Sequence, residues 1–391
     1  MSRLDILKSA IQKERARIKK TTVLIIRGDA HCTTKINGKY YSVLSDPVRE
    51  GLITENISVQ VIAKPFSKLV AHKCADQAVD IEVGYSRAIL AEKFCKGRIV
   101  SFWKKVIKES ECKYIIAIFP NKELCLAANQ LGVPIADLQH GVISFEHPSY
   151  GSEYRKAINK AELPSEYLLW DNNSKAVVDE WCLDKGIKTT VIGNPSFVKF
   201  GNDAIKKDNK KYNTVLYTLQ WGLERESKDV GQSLRNFLWP KKLEEIAKSG
   251  SKHNWIFRIH PVQYPEKEEI FSLIKEFFGK ESYDLSVKYD QMPLFEVLQN
   301  VDLHMTYNSS VAIESANLGI TTIFLDQELK LGGTREGYYK YEKEAGIAIV
   351  KDIGDAELMD VKYCGDSRGC NYLPQLSCFN SFIDRLSKGK F

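Results

Sequence analysis

The chain is short of the residues that would announce a metal or redox centre. Seven histidines and nine cysteines are spread over 391 residues, and the cysteines, at 32, 74, 95, 112, 125, 182, 364, 370 and 378, stand singly. None forms a CxxC pair or takes a zinc-site spacing with histidine. Some lie in apolar runs, as Cys125 does in "ELCLAANQLG", where a thiol packs as a small core residue. That is the usage of a reducing compartment. No apolar run reaches the roughly eighteen residues of a membrane span. The opening "MSRLDILKSAIQKERARIKK" has no signal-peptide core, so a cytoplasmic location is expected, at most peripheral on a membrane. Charge of one sign is also scarce: a net +6, with acids interleaved among the lysines, leaves no basic face for nucleic acid. Low-complexity tracts and internal repeats are absent, as is a DxD motif at a strand end.

What is present is the balance of a soluble globular protein, 43% hydrophobic and 27% charged, in a chain long enough for two domains. Short β-branched runs alternate with helix-length amphipathic segments. "TTVLIIRG", "ISVQVIAKP", "KYIIAIFP", "VPIADLQHG", "EYLLWD" and "TTVIGNP" read as buried strands, with "NKELCLAANQLG" and "NNSKAVVDEWCLDKG" as helices between them. A polar stretch without periodicity, "VKFGNDAIKKDNKKY", reads as a linker over 198–212. The rhythm restarts with strands at "NTVLYTLQWG", "NWIFRIHP", "LSVKYD" (285–290), "LHMTYNSS" and "TTIFLD". The expected fold is α/β, with two Rossmann-like doubly wound domains, 1–197 and 213–391, facing a cleft; the last helix is free to cross back. In such folds ligands lie at the carboxyl ends of the strands, and every polar cluster of note falls at one.

Three clusters carry candidate chemistry. Strand alternation turns Arg258 and His260 of "RIHP" to one face, a fork and an imidazole for phosphate or base, with Pro261 closing the turn. The competing reading is an ordinary strand end. In "TYNSSVAIESANLG", Asn308, Ser309 and Ser310 are placed to cap a helix whose N–H groups suit a phosphate, and Glu314 lies one turn on, where it would accept from ribose hydroxyls. In "ADLQHGVISFEHP", His140 falls at the end of a buried strand, with Gly141 expected to relieve crowding. Its imidazole suits deprotonation of a sugar hydroxyl, or else supports a neighbour by hydrogen bonding. Asp137 is either turned away or a second carboxylate. Lesser candidates are Thr218, Gln220, Trp221 and Gly222 after the first strand of the second domain, His147 on the loop, and Asp29, His31 and Tyr41 in "RGDAHCTTKINGKYYS", a polar and aromatic acceptor surface or a plain surface hairpin.

The order "QHG", "RIHP", "YNSSVAIE" resembles bacterial GT-B glycosyltransferases that build surface polysaccharides, in the group of polysialyltransferases, capsule and lipopolysaccharide Kdo transferases and CDP-glycerol-dependent teichoic-acid polymerases. The resemblance covers most of residues 114–326. It implies that His260 and Pro261, with Ser309 and Ser310, hold a cytidine-activated donor, and that His140 with Gly141 supplies the general base, as in the polymerases. The Kdo and polysialyl enzymes carry an acidic residue before that glycine, where this chain has Gln139 and His140. "LLWDNNSKAVVDEW" with "VIGNP" is similar to the segment that ends the first domain in such transferases. The resemblance further implies a metal-independent enzyme without cofactor, a nucleotide-sugar donor (CMP-linked Kdo or sialic acid foremost), and a glycan or glycolipid acceptor. Alternatives are a CDP-glycerol glycerophosphotransferase, a UDP- or GDP-sugar transferase, and a catalytically silent GT-B scaffold.

Overall fold

The computed structural model describes residues 18–28, 32, 34–64, 78–205, 213–220, 238–248, 253–353 and 372–391. The chain divides into two compact units, Met1–Val198 with Pro374–Phe391, and Lys199–Leu373. The second unit therefore ends at Leu373, and the last residues belong to the first.

The first unit is built on seven parallel strands. They are β1 (Val23–Arg27), β4 (Val59–Ala63), β5 (Val79–Asp80), β6 (Tyr114–Ala117), β7 (Ile135–Leu138), β8 (Glu166–Leu169) and β9 (Lys188–Val191), in the order β5-β4-β1-β6-β7-β8-β9. Strands β1, β6, β7 and β8 are buried along their whole length. This is why they read as continuous apolar runs rather than as alternating ones. The order reverses between β1 and β6, which makes their carboxyl ends a topological switch point. A separate hairpin, β2 (Thr34–Ile36) with β3 (Lys39–Tyr41), turns through Asn37 and Gly38, both at positive φ (50° and 76°). A type I′ turn demands this of its two central residues, and the segment Thr34–Tyr41 is a hairpin.

The second unit has five parallel strands, β10 (Thr214–Thr218), β11 (Asn254–Arg258), β12 (Leu303–Thr306), β13 (Thr321–Phe324) and β14 (Ala348–Val350), in the order β11-β10-β12-β13-β14. Its switch point lies between β10 and β12. Both units are Rossmann-like α/β domains, as expected.

Two expectations are corrected. "LSVKYD" is no strand but the end of the helix Lys267–Tyr289, which is interrupted by Gly279 at φ 86°. Ser282, Ser286 and Tyr289 are buried at helical spacing, and the Ser286 hydroxyl accepts the Phe257 N–H of edge strand β11 at 2.9 Å. The segment thus covers a sheet edge instead of extending it. Nor is 198–205 an irregular linker: it continues the helix Pro195–Ile205, with proline at the first position and Phe197 fully buried. Residues 206–212 lie outside the described residues.

The C-terminal helix Tyr372–Ser387 is tied to the amino ends of β6 and β8. Arg385 forks onto both oxygens of buried Glu166 at 2.8 and 3.1 Å, and Tyr114 and Thr190 donate to the same carboxylate. In "VIGNP", a Cβ on Gly193 (φ 77°) would stand 2.8 Å from the Gln375 carbonyl oxygen, so glycine permits this helix to approach. The Asn194 N–H donates to the Gln375 side chain at 2.9 Å.

Candidate functional site

In the first unit the polar groups gather where β1, β6 and β7 end. β7 delivers Asp137 and then, past its last residue, Gln139 and His140. Gln139 is buried and fully used: its Oε1 accepts the Trp170 N–H at 2.7 Å, and its Nε2 donates to the Gly141 carbonyl at 2.9 Å and to Ser174 Oγ at 3.1 Å. This bracket fixes the loop that carries His140. A Cβ on Gly141 would meet nothing within 4 Å, so the expected relief of crowding is not its role. What the loop draws from Gly141 is its carbonyl.

His140 is half-buried, with its Nδ1 3.1 Å from the Tyr150 hydroxyl and its ring edge-on to Phe119 at 5.5 Å. Tyr150 is buried, and burial followed by the charge of Asp137 holds its phenol well above the ordinary value. The direction of the Tyr150 bond and the tautomer of the ring are one question: a hydrogen on Nδ1 makes Nε2 the basic nitrogen.

Asp137 does not point at open solvent. Its Oδ1 accepts the Phe119 N–H at 2.9 Å, and burial raises its carboxyl to about 7 against that bond and the charges of Arg155 and Lys64. Lys64 donates to the Phe119 carbonyl at 2.7 Å, and burial lowers its ammonium pKa. His147 accepts the Ser149 N–H on Nδ1 at 3.0 Å, and burial, then Arg155, lowers it to about 4, so it is a neutral loop organiser. Tyr41 is buried at the hairpin; Asp29 and His31 lie outside the described residues.

In the second unit the candidates flank the switch point. Thr218 ends β10, but its buried hydroxyl is 2.9 Å from Nε2 of His304, whose Nδ1 meets Thr322 Oγ1 at 3.0 Å. Burial lowers His304 to about 3, so this histidine is a neutral core spacer. Gln220 and His260 are joined by buried Gln263, whose Oε1 accepts the His260 N–H at 3.2 Å and whose Nε2 donates to the Gln220 carbonyl at 3.4 Å. Arg258 ends β11 and donates to the carbonyls of Tyr289 and Met292 at 3.5 and 3.1 Å. Burial lowers its pKa against Tyr264, Asp290 and Glu314. Pro261 starts the short helix Pro261–Glu266. Gly222 and Trp221 lie outside the described residues.

After β12, Ser310 stands at the helix start without a side-chain cap, and it is Ser309 Oγ that accepts the Val311 N–H at 3.3 Å. Asn308 is held from two sides, its amide donating to Asp326 at 2.8 Å and its carbonyl accepting from Tyr339 at 2.7 Å. Asp326, fully buried, is gripped by Arg335 at 2.9 and 3.2 Å. Glu314 is buried on the helix Val311–Asn317. Sequence reasoning passed over Gln263, Asp326, Arg335, Lys64, Phe119 and Tyr150. The legible signals were the acid of "FLD" at a strand end and the Phe-Pro at the end of β6. Among the described residues no three His, Cys, Asp or Glu side chains are placed to hold a metal ion, and no helix is long and apolar enough to cross a membrane.

No protein-family model and no curated protein matches the chain. Solved structures do. A UDP-GlcNAc 2-epimerase from Neisseria meningitidis bound to UDP-GlcNAc aligns with a TM-score of 0.53 at 12% identity, over 94% of this chain and 100% of that one. A protein from Listeria monocytogenes, provisionally described as a UDP-N-acetylglucosamine 2-epimerase, aligns at 0.55 and 14% over 95% and 96%. The wall teichoic acid polymerase TagF, as an H444N variant with CDPG, aligns at 0.52 and 12% over 97% and 92%. At such identities the likeness is one of fold, and the fold is GT-B.

Proposed function

We propose, starting from the GT-B fold, that this chain is a glycosyltransferase that moves a sugar from a nucleotide-activated donor to a hydroxyl of a surface-glycan acceptor. The observation that carries this reading is His140, held half-exposed at the carboxyl end of a buried strand with its Nδ1 on the Tyr150 hydroxyl. For Nε2 to take the acceptor's proton, Nδ1 must carry the ring hydrogen and the phenol oxygen must accept it. The same bond then steadies the imidazolium as the acceptor oxygen attacks the anomeric carbon and the nucleotide phosphate departs.

In this reading the switch point of the second unit holds the donor. His260, Ser309 and Ser310 meet the phosphate, with Asn308 and Pro261 setting the two turns and Glu314 serving the ribose. Gln220 and Thr218 shape the floor beside them, and Arg258 keeps the turn at Tyr289–Met292 in place. Charge leaving on the phosphate is met by N–H groups and imidazole, so the proposed reaction draws on no metal or cofactor. A CMP-linked donor such as Kdo or sialic acid is the first choice, on the likeness of "RIHP" and "YNSS". The proposed location is the cytoplasm, with peripheral contact to the inner membrane face when the acceptor is a glycolipid.

One specific observation favours a second reading. His140 followed by Gly141 is the pairing of the CDP-glycerol-dependent polymerases, which makes a glycerophosphotransferase the runner-up.

Thermal shifts with CMP, CDP, UDP and GDP, on wild type and on His260→Ala, test the reading. A nucleotide at 100 times its Kd adds about 2.7 kcal/mol of stability. CMP stabilisation that vanishes in the variant is expected. A CDP response alone selects the glycerophosphotransferase, a UDP or GDP response replaces the donor, and silence to all four leaves a scaffold.

A further inference from the structure

Where the helix Glu82–Glu92 hands over to the helix Arg98–Ser110, the first unit turns a phenylalanine into solvent. Phe94 is 90% exposed, and Leu90, one helical turn before it, is 59% exposed. The backbone stays helical through Lys93 (φ −63°, ψ −29°), so the two side chains share a face. Three features set this apolar tip apart from singly scattered surface residues.

The first is that the tip is fixed. The N–H groups of Phe94 and Cys95 both donate to the Ala91 carbonyl, at 3.1 and 2.9 Å. Gly97 turns the chain at φ 84°, and the Glu92 carboxylate closes the turn by accepting the N–H groups of Gly97 and Ile99 at 2.8 and 3.0 Å. The second is its charge. Lys93, Lys96 and Arg98 are exposed beside Phe94, and Arg87 is exposed one turn before Leu90. From Arg87 to Arg98 the one carboxylate is Glu92, whose two oxygens are taken up by those N–H groups.

The third is its place in the fold. The Ser110 carbonyl, at the end of the second helix, accepts the Thr21 N–H at 2.8 Å, just before β1 begins. Trp103, earlier in that helix, lines a pocket with Phe119 and Pro120, beyond the carboxyl end of β6. The helix therefore runs antiparallel to the strands, and the turn before it stands at the carboxyl ends of the sheet, the end that carries His140.

Two apolar side chains are too little for a protein partner, which takes about 800 Å² from each side. They suit the boundary zone of a bilayer, where an aromatic ring inserts and lysine and arginine stems reach back to the lipid phosphates. We propose that this turn docks the first unit on an anionic phospholipid surface. Phe94 and Leu90 enter the headgroup boundary, and Lys93, Lys96 and Arg98 meet the phosphates. That the surface brings an acceptor hydroxyl towards His140 rests on the transferase reading, whereas the docking rests on the turn alone.

The test is co-sedimentation of the full chain with vesicles of phosphatidylcholine and with vesicles of an equimolar mixture of phosphatidylcholine and phosphatidylglycerol. Wild type is expected to sediment with the mixed vesicles only and to be released by about 1 M salt. Phe94→Ser should weaken the partition about tenfold, and Lys93→Gln and Lys96→Gln about fivefold each. Phe94→Trp should gain an emission that shifts to the blue on the mixed vesicles. Both Phe94 variants change a side chain in solvent and should melt as wild type does. No binding by wild type, equal binding to the two kinds of vesicle, or undiminished binding of Phe94→Ser overturns the proposal. So does self-association of wild type that Phe94→Ser abolishes, which makes the tip a contact between copies. A silent nucleotide panel beside vesicle binding removes the transferase reading and leaves the docking; nucleotide binding without vesicle binding does the reverse.

Discussion

The Nδ1 of His140 lies 3.1 Å from the hydroxyl oxygen of Tyr150, a residue that is 1% exposed. A buried phenol on one ring nitrogen decides what the other nitrogen can do. If His140 is the base, its ¹⁵N shifts report hydrogen on Nδ1 at neutral pH. Hydrogen on Nε2 instead makes the ring a donor to phosphate and ends the general-base reading.

Tyr150→Phe removes the oxygen and keeps the ring. Transfer is expected to slow by about tenfold to a hundredfold, a fraction of what a positioned base contributes, with the acidic limb of the pH–rate profile displaced. His140→Gln should lose most of the rate while nucleotide stabilisation is unchanged. Loss of nucleotide binding in His140→Gln would place that residue with the donor.

Asp137 supplies a pH dependence with a definite sign. Burial raises its carboxyl from 3.8 to about 7. Between those values the folded chain keeps a proton that the unfolded chain has lost, so stability falls as pH rises through that window and stays reduced above it. Asp137→Asn keeps an oxygen for the Phe119 N–H and abolishes the fall. Its Tm advantage over wild type should be greater at pH 8 than at pH 5, and an advantage independent of pH would mean that Lys64 and Arg155 fully compensate the charge.

Arg385→Met strands Glu166, which is 4% exposed at the side chain, without its forked partner. The expected loss is about 3 kcal/mol, the scale for breaking a buried pair, read as a lower urea midpoint. Lys388→Met breaks an ion pair with Asp384 that is mostly in solvent and should move the midpoint little. Equal effects from the two variants would mean that the helix is not anchored through Glu166.

The α/β alternation was legible because fully buried parallel strands write themselves as apolar runs, and ten of the expected strands lie where their runs stand. "LSVKYD" misled because its two-residue alternation also fits a helix whose buried Ser282, Ser286 and Tyr289 recur at three and four, and only tertiary context, an edge N–H to be satisfied, chooses between them. At the strand ends the residue types could be read but not their obligations. Thr218 looked available for phosphate, yet its hydroxyl belongs to His304, and Arg258 is engaged by two carbonyls. The Phe-Pro of "IFPN" marks a special turn, but nothing in the run states that Phe119 carries backbone strain.

The return of Pro374–Phe391 to the first unit has a consequence for how the molecule comes into being. Glu166 emerges from the ribosome 219 positions ahead of the Arg385 that neutralises it. Throughout synthesis of the second unit the first must therefore persist as a full sheet without its last helix, with a buried carboxylate waiting. Contacts of such long sequence separation are slow to close. Partial chains that end within the second unit should accordingly depend on chaperones, whereas those that extend past Arg385 should not.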